Sequence, residues 1–90
     1  MVFLPGETDD RQWWVIWCQA IVEDQPLTCG ISYQALCEHF GADLPDTLSA
    51  FRAHRPAIEQ LMAQFLAQQG HVHDADPPVM RSYDVRALRP

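Results

Sequence analysis

The sequence predicts a small two-layer α+β domain, in which an antiparallel β-hairpin plus a C-terminal strand carries two helices packed on one face of the sheet. The first observation is a change of hydrophobic period between Leu27 and Gly41, from the alternation of a strand to the three-and-four spacing of a helix. The second is an apolar helical stripe that runs through residues 46–69. The third is a run rich in Trp, Val and Ile, Arg11–Val22, which ends in turn-forming residues.

The first two strands are predicted to form a hairpin. Arg11–Val22 is the first strand, residues 23–26 are the loop, and the second strand starts at Leu27. We expect the helices to cover the hairpin face that carries Trp14 and Ile16. On that face the predicted facing pairs are Val22 with Leu27, Ala20 with Cys29, and Cys18 with Ile31.

The opposite face of the first strand is more apolar than a face in water should be. It carries Trp13, Val15, Trp17 and Ile21. A contiguous apolar face with two tryptophans is typical of a protein interface, so these four residues are the candidate interface. The alternative is intramolecular, with Met1–Leu4 or the C-terminal tail folding over this face.

Two helices are predicted after the hairpin. Ser32 is expected to cap the first, and Gly41 to end it in the left-handed conformation. Asp46 is expected to cap a second, long helix that reaches Gln69. Pro56 interrupts this helix. Because the apolar stripe continues on both sides of the proline, we expect a kink rather than a break.

The rest of the chain is predicted from shorter signals. Met1–Pro5 is expected to form a short edge strand, and Glu7–Asp10 an exposed acidic segment. Residues 71–78 read as a polar loop because they contain two prolines. Val79–Val85 is expected to be the final strand and Arg86–Pro90 a tail.

Length and charge narrow the classes of function. The 90 residues predict a single domain, residues 1–90, and 48% hydrophobic residues exclude a disordered chain. No apolar run approaches the roughly 20 residues of a membrane-spanning helix, and the first residues lack the features of a signal peptide, so we expect a cytoplasmic protein. The net charge of −6, with six arginines as the only basic residues, disfavours nucleic acid and anionic membranes as partners. Three cysteines without a CxxC element favour a reducing compartment.

Four short motifs span nearly the whole chain. They are Cys29-x-Ile31-Ser32-x-x-Ala35-Leu36, Phe40-Gly41, Phe51-x-x-x-Arg55-x-x-Ile58-Glu59 and Arg81-Ser82-x-Asp84. Together they resemble the pattern of a family of short bacterial proteins of unknown function. The resemblance implies a compact α+β fold in a bacterial cytoplasm. It implies no activity, because the family has no established catalytic or ligand-binding residues.

Two groups of side chains have the chemistry of metal ligands. Cys29, Cys37 and His39 have the spacing of no common zinc motif, and the two cysteines fall on predicted core positions, so we interpret them as core residues. The second group lies in the loop after the long helix and holds too few ligands for a tight site, so we interpret it as solvated. Its members are His71, His73, Asp74 and Asp76.

No catalytic, cofactor or metal site is predicted. Ser32, Ser49 and Ser82 lie in no nucleophile motif and beside no evident base, and the four glycines form no phosphate-binding loop. The sequence therefore predicts no enzyme. It predicts a non-enzymatic protein-interaction or self-assembly module, whose partner is a second copy or another protein.

Arg55 leads to two alternative hypotheses, because a charge within the apolar stripe is costly unless it is paired or reaches water. One is a small-anion or effector site at Arg55 and Pro56 that binds a carboxylate or phosphate. The other, which we prefer, is an ion pair between Arg55 and Asp84 that ties the last strand to the long helix. A nucleic-acid-binding regulator that uses Arg52 and Arg55 is disfavoured by the acidic net charge and the lack of lysine.

Overall fold

The computed structural model describes residues 1–69 and 77–89. Within these residues the chain forms five strands and four helices, so the α+β class is as predicted. The strands are β1 (Val2–Phe3), β2 (Thr8–Asp10), β3 (Val15–Val22), β4 (Gln25–Ser32) and β5 (Val79–Met80). The helices are α1 (Tyr33–Phe40), α2 (Thr47–Ala53), α3 (Arg55–Gln69) and α4 (Ser82–Leu88).

The strands form one mixed sheet. β3 and β4 are the antiparallel hairpin, β1 and β2 both pair antiparallel with the other edge of β3, and β5 pairs parallel with β4. The predicted N-terminal edge strand is β1. The acidic segment that follows was predicted to be exposed, but it supplies β2, and Glu7, Asp9 and Asp10 are half-buried.

The hairpin closes with a two-residue turn instead of the predicted four-residue loop. Glu23 and Asp24 have φ angles of 52° and 63°. Two successive left-handed residues are typical of a type I′ turn, whose twist matches that of the strands it joins. The predicted register is therefore wrong by two residues, although a shift of two leaves each side chain on its predicted face. The observed facing pairs include Cys18 with Cys29 and Ala20 with Leu27.

The helices cover one face of the sheet and bury a single core. Among the described residues, no helix is long and apolar enough to cross a membrane. The core residues of the sheet include Ile16, Ala20, Cys29 and Ile31, and those of the helices include Leu36, Phe51, Ile58, Met62 and Val85.

The predicted helix caps are confirmed. Ser32 Oγ accepts a hydrogen bond from the backbone N–H of Ala35 at 3.1 Å. Gly41 ends α1 with a φ of 69°, a conformation that glycine adopts without steric cost. Asp46 caps α2 by accepting the backbone N–H of Ser49 at 3.2 Å. These interactions are local, so the sequence was sufficient to predict them.

The expected kink at Pro56 is a break. α2 ends at Ala53, α3 starts at Arg55, and His54 lies between them with φ −111° and ψ 16°. Pro56 therefore lies in the first turn of a new helix, where its missing N–H is not needed. The apolar stripe still continues across the break, since Phe51, Ile58, Met62, Phe65 and Leu66 are all buried.

The predicted final strand is wrong beyond Met80. The chain turns into α4, which packs against α1 and α3. At the start of α4, Asp84 Oδ2 accepts the backbone N–H of Arg81 at 2.9 Å, a carboxylate contact that favours a helix N-terminus. The segment predicted as a tail therefore begins within a helix.

Candidate functional site

The outer face of the sheet, which is turned away from the helices, carries the predicted interface residues. The strand register places Val15, Trp17 and Ile21 of β3 on this face. Val15 is buried, whereas Trp17 and Ile21 are half-buried. Trp13 precedes the strand and is 69% exposed. The candidate interface is therefore brought together, with Trp13 as its most accessible member.

A groove of about 610 Å³ lies on the outer face, between β3 and the segment that contains β5. Its volume falls in the range of roughly 300–1,000 Å³ that is common for ligand pockets. The sequence analysis did not identify the side of the groove that follows residue 76, because it interpreted this segment as the end of a polar loop and the final strand of the sheet, without a role in a site. The groove is lined by Trp13, Val15 and Trp17 on one side and by Pro77, Val79 and Arg81 on the other.

The packing of Val15 and Trp17, which line the groove, requires the absence of a side chain at Gly30. This residue faces Trp17 across the hairpin. A Cβ atom there would lie 2.5 Å from Val15 Cγ1 and 2.7 Å from Trp17 Cε3. The indole of Trp17 therefore lies against the β4 backbone, where only glycine leaves room for it.

Asp10 holds both tryptophans that line the groove. Its Oδ2 accepts the indole N–H of Trp17 at 3.0 Å, and its Oδ1 accepts the backbone N–H groups of Gln12 and Trp13 at 3.1 and 3.2 Å. The Trp17 hydrogen bond, helped by the two backbone donors, lowers the pKa of Asp10. The sequence analysis did not identify this residue. An aspartate just before a turn was the available signal, since its carboxylate can accept nearby backbone N–H groups.

Trp14 does not lie on the core face, where it was predicted. It is 65% exposed and has a φ of 58°. Its carbonyl accepts the backbone N–H of Tyr33 at 2.8 Å. The turn between β2 and β3 therefore includes Trp14, which was predicted to lie within the strand. A residue with a left-handed φ does not follow the alternation of side chains in a strand, so Trp14 is not directed to the core face. Trp14 does not line the groove, although it is next to Trp13.

Arg55 is paired, but its predicted partner is wrong. Its Nε donates to Glu59 Oε2 at 2.8 Å. Its two other nitrogens donate to the carbonyls of Leu4 and Gly6 at 2.7 and 3.3 Å, and Glu7 lies 3.9 Å away. Arg55 therefore ties the N-terminal arm to α3, and its guanidinium is already occupied by the protein's own oxygens.

Asp84, the predicted partner of Arg55, has a different role. It is half-buried and caps α4 through the backbone N–H of Arg81. The prediction failed because it placed Asp84 at the end of a strand, whereas the chain had already turned into α4. The other predicted arginine, Arg52, forms an exposed ion pair with Glu7 at 2.9 Å.

Ser82 lies beside two polar groups, so the prediction that no serine lies near a base is wrong for this residue. Its Oγ donates to Glu38 Oε1 at 2.6 Å. His39 Nε2 lies 3.2 Å from that hydroxyl and 3.1 Å from the Ser82 carbonyl. A catalytic triad has the histidine between serine and acid, whereas here the serine contacts both. The hydrogen bond from Ser82, followed by one from Gln34, lowers the pKa of Glu38. The cluster joins α4 to α1.

The two groups that have the chemistry of metal ligands, both interpreted from the sequence as not binding a metal, are only partly covered by the structure. Over residues 1–69 and 77–89, no group of three or more histidine, cysteine or acidic side chains is arranged to hold a metal ion. Cys29 is in the core, and Cys37 is half-buried on α1. The second predicted group, His71, His73, Asp74 and Asp76, lies outside the described residues.

Comparison with known proteins identifies a family model that matches this chain. The family model described as protein of unknown function (DUF1488) matches residues 3–75. The match includes the tryptophan side of the groove and stops before the side formed by Pro77, Val79 and Arg81. Comparisons with curated proteins and with solved structures found no match. Because the matched residues make up most of the 90-residue chain, the chain belongs to this family of proteins of unknown function.

Proposed function

We propose that the chain is a non-enzymatic self-assembly module, which packs its outer sheet face against the same face of a second copy. The observation that carries the proposal is an apolar, tryptophan-bearing face on the side of the sheet that the helices leave uncovered. Trp13 is 69% exposed and Val2, on β1, is 62% exposed on this side. Faces of this kind mark interaction surfaces more often than isolated surface hydrophobes do.

The charge distribution favours the outer face as the surface through which two copies would meet. The chain carries six basic and twelve acidic residues, so two copies repel each other in most orientations. Asp10 is the one charged residue among the described strand positions on the outer face, and its carboxylate is engaged by Trp17. Asp10 and Arg81, which lines the groove, are the charges that each copy brings to such a contact, and they have opposite signs. Two outer faces can therefore approach with less repulsion than other surfaces of the chain. A twofold contact would use the same patch on both copies.

Trp13 is the expected anchor of this contact. Tryptophan is enriched among the residues that dominate interface energetics, because its large ring is buried at little entropic cost. The ring lies at the wall of the groove, whose volume of about 610 Å³ can accommodate an aromatic side chain. In the proposed dimer, Trp13 of each copy enters the groove of the other.

Sedimentation velocity from low to high micromolar concentration tests the proposal. Trp13→Ser is expected to weaken self-association by at least about 30-fold, the equivalent of a hot-spot loss of roughly 2 kcal/mol. Trp14→Ser is the matched control, because it removes an equally exposed indole one residue away that does not line the groove. A wild-type monomer at high micromolar concentration, or equal effects of the two variants, would contradict the proposal.

The non-enzymatic part of the proposal is supported by how the polar side chains are used. Ser82 directs its hydroxyl at Glu38 and is buried. Arg55 is the centre of the alternative small-anion hypothesis, but three of its N–H groups already donate to Glu59, Leu4 and Gly6. We therefore prefer self-assembly to effector binding. Bacterial origin, a cytoplasmic location and the exclusion of nucleic acid remain predictions.

A further inference from the structure

The observed hairpin register places two thiols directly opposite each other. Cys18 of β3 faces Cys29 of β4, and their Sγ atoms lie 3.6 Å apart. The two side chains are 5% and 0% exposed. The predicted register had separated them, since it paired Cys18 with Ile31. The pair is therefore a feature that only the structure identifies.

The backbone geometry at this pair is compatible with a disulfide. The N–H of Gly30 donates to Pro78 on the far side of β4, so its neighbour Cys29 is at a position that hydrogen-bonds to β3. Facing residues at such positions have Cα atoms about 5.5 Å apart, within the roughly 4.4–6.8 Å that disulfides span. Starting from 3.6 Å, the sulfurs must approach by about 1.6 Å to reach the S–S bond length of about 2.05 Å. Facing Cβ atoms at hydrogen-bonded positions lie near the upper end of about 4.5–5.5 Å, whereas a disulfide needs about 3.5–4.5 Å. Side-chain rotation must therefore be accompanied by a local approach of the two strands by about 1 Å.

We propose that Cys18 and Cys29 form a dithiol that hydrogen peroxide converts into a cross-strand disulfide. This inference goes beyond the proposed self-assembly and does not depend on it. The Cys18 sulfur, deprotonated, attacks one peroxide oxygen and breaks the O–O bond, which gives a sulfenic acid and a hydroxide that takes up the proton to become water. The Cys29 sulfur then attacks the sulfenic sulfur, the S–O bond breaks, and the departing hydroxide takes up the Cys29 thiol proton to leave as a second water. The two sulfurs lose two electrons, and the peroxide gains them.

The contacts of the two thiols set the order of these steps. The hydrogen bond from Cys29 lowers the pKa of Cys18, while the same contact, followed by burial, raises the pKa of Cys29. Cys18 is also the one with measurable exposure. Since the thiolate is the nucleophile, Cys18 reacts first and Cys29 resolves the sulfenic acid. Cys37 lies on α1 and serves as the internal reference thiol.

The test is peroxide treatment of the folded, reduced chain, followed by quenching, denaturation and alkylation of the remaining thiols. We expect two of the three thiols to be lost, with a mass decrease of about 2 Da for one disulfide. Digestion after glutamate and after aromatic residues separates all three cysteines, because Glu23 lies between Cys18 and Cys29 and Tyr33 lies between Cys29 and Cys37. The linked peptides should contain Cys18 and Cys29, with Cys37 alkylated.

Three comparisons make the result specific to the folded hairpin. Cys37→Ala should form the same link. Cys29→Ser, which keeps a hydrogen-bond donor beside Cys18, should leave Cys18 as a sulfenic acid that dimedone traps. The wild type oxidised in concentrated urea should give a mixture of pairings. A link that includes Cys37 would overturn the proposal. The proposal would also be overturned by unchanged thiols, by a Cys18 sulfinic acid without a link, or by a yield of the Cys18–Cys29 link in the folded protein no higher than that in urea. These outcomes are measured on the wild type, so they do not depend on whether the variants fold.

Discussion

Gly30→Ala is the sharpest test of how the outer face is built. The added Cβ would lie 2.5 Å from Val15 Cγ1 and 2.7 Å from Trp17 Cε3, far inside the roughly 3.5–4.0 Å of a normal carbon contact. Neither neighbour can move freely, because Val15 is buried and Trp17 is hydrogen-bonded to Asp10. Overpacking of a fixed site costs about 1–3 kcal/mol. With two close contacts, we expect a loss of about 2–3 kcal/mol in the free energy of unfolding.

The sign of the stability change in Gly30→Ala distinguishes a steric clash from the conformational effect of replacing glycine. Gly30 does not have a left-handed φ, so without the clash an alanine in a strand would stabilise the protein by about 0.5–1 kcal/mol. Gly41→Ala is the control for backbone strain, because its φ is 69° and no atom lies within 4 Å of the added Cβ. We expect that control to lose about 1–2 kcal/mol from the left-handed conformation alone.

Urea unfolding followed by circular dichroism measures both variants, and a double-mutant cycle identifies the cause. In a Val15→Ala background, which removes the closest atom, Gly30→Ala should destabilise less than in the wild type. A Gly30→Ala protein as stable as the wild type, or an effect that adds independently of Val15, would refute the packing argument.

Two further predictions concern charged residues. Arg55→Leu should destabilise by about 1–3 kcal/mol and Arg52→Leu by less than about 1 kcal/mol, because Arg55 is 21% exposed with three acceptors and Arg52 is 63% exposed with one ion pair; equal losses in urea unfolding would contradict this. Trp17→Phe should raise the pKa of Asp10, measured from its carboxyl carbon by NMR, because it removes the main contact that lowers it. Since the folded-state pKa is the lower one, this contact stabilises the fold above the ordinary aspartate pKa and is lost as pH falls through the folded-state value, so the acid-side loss should be smaller in Trp17→Phe. An unchanged pKa would show that the indole N–H does not act on Asp10.

The features that were predicted correctly depend on interactions between residues only a few positions apart in the sequence. Ser32 and Asp46 cap helices through amides three positions away, and the parity of β3 follows from its own alternation. The register was missed because Glu23–Asp24 lacks the Asn-Gly or Asp-Gly signal of a two-residue turn. One partner of Arg55, Glu59, lies four positions away on the same helix, so the local spacing was a signal that the sequence analysis did not use. The carbonyl acceptors Leu4 and Gly6 were missed because they are about fifty positions away and have no side-chain signature. Local patterns contain no information on such contacts.

The turn at Glu23 and Asp24 links the candidate surface to the thiol pair. The observed register places Trp17 opposite Gly30 on the outer face. In the next facing pair, Cys18 lies opposite Cys29 on the core face. In the register that a four-residue loop would impose, Trp17 would face Ser32 and its indole would lose the space above a glycine. Cys18 would face Ile31, and no second thiol would be within reach. The groove on the outer face and the dithiol in the core therefore depend on the same two left-handed residues, although neither site contains them.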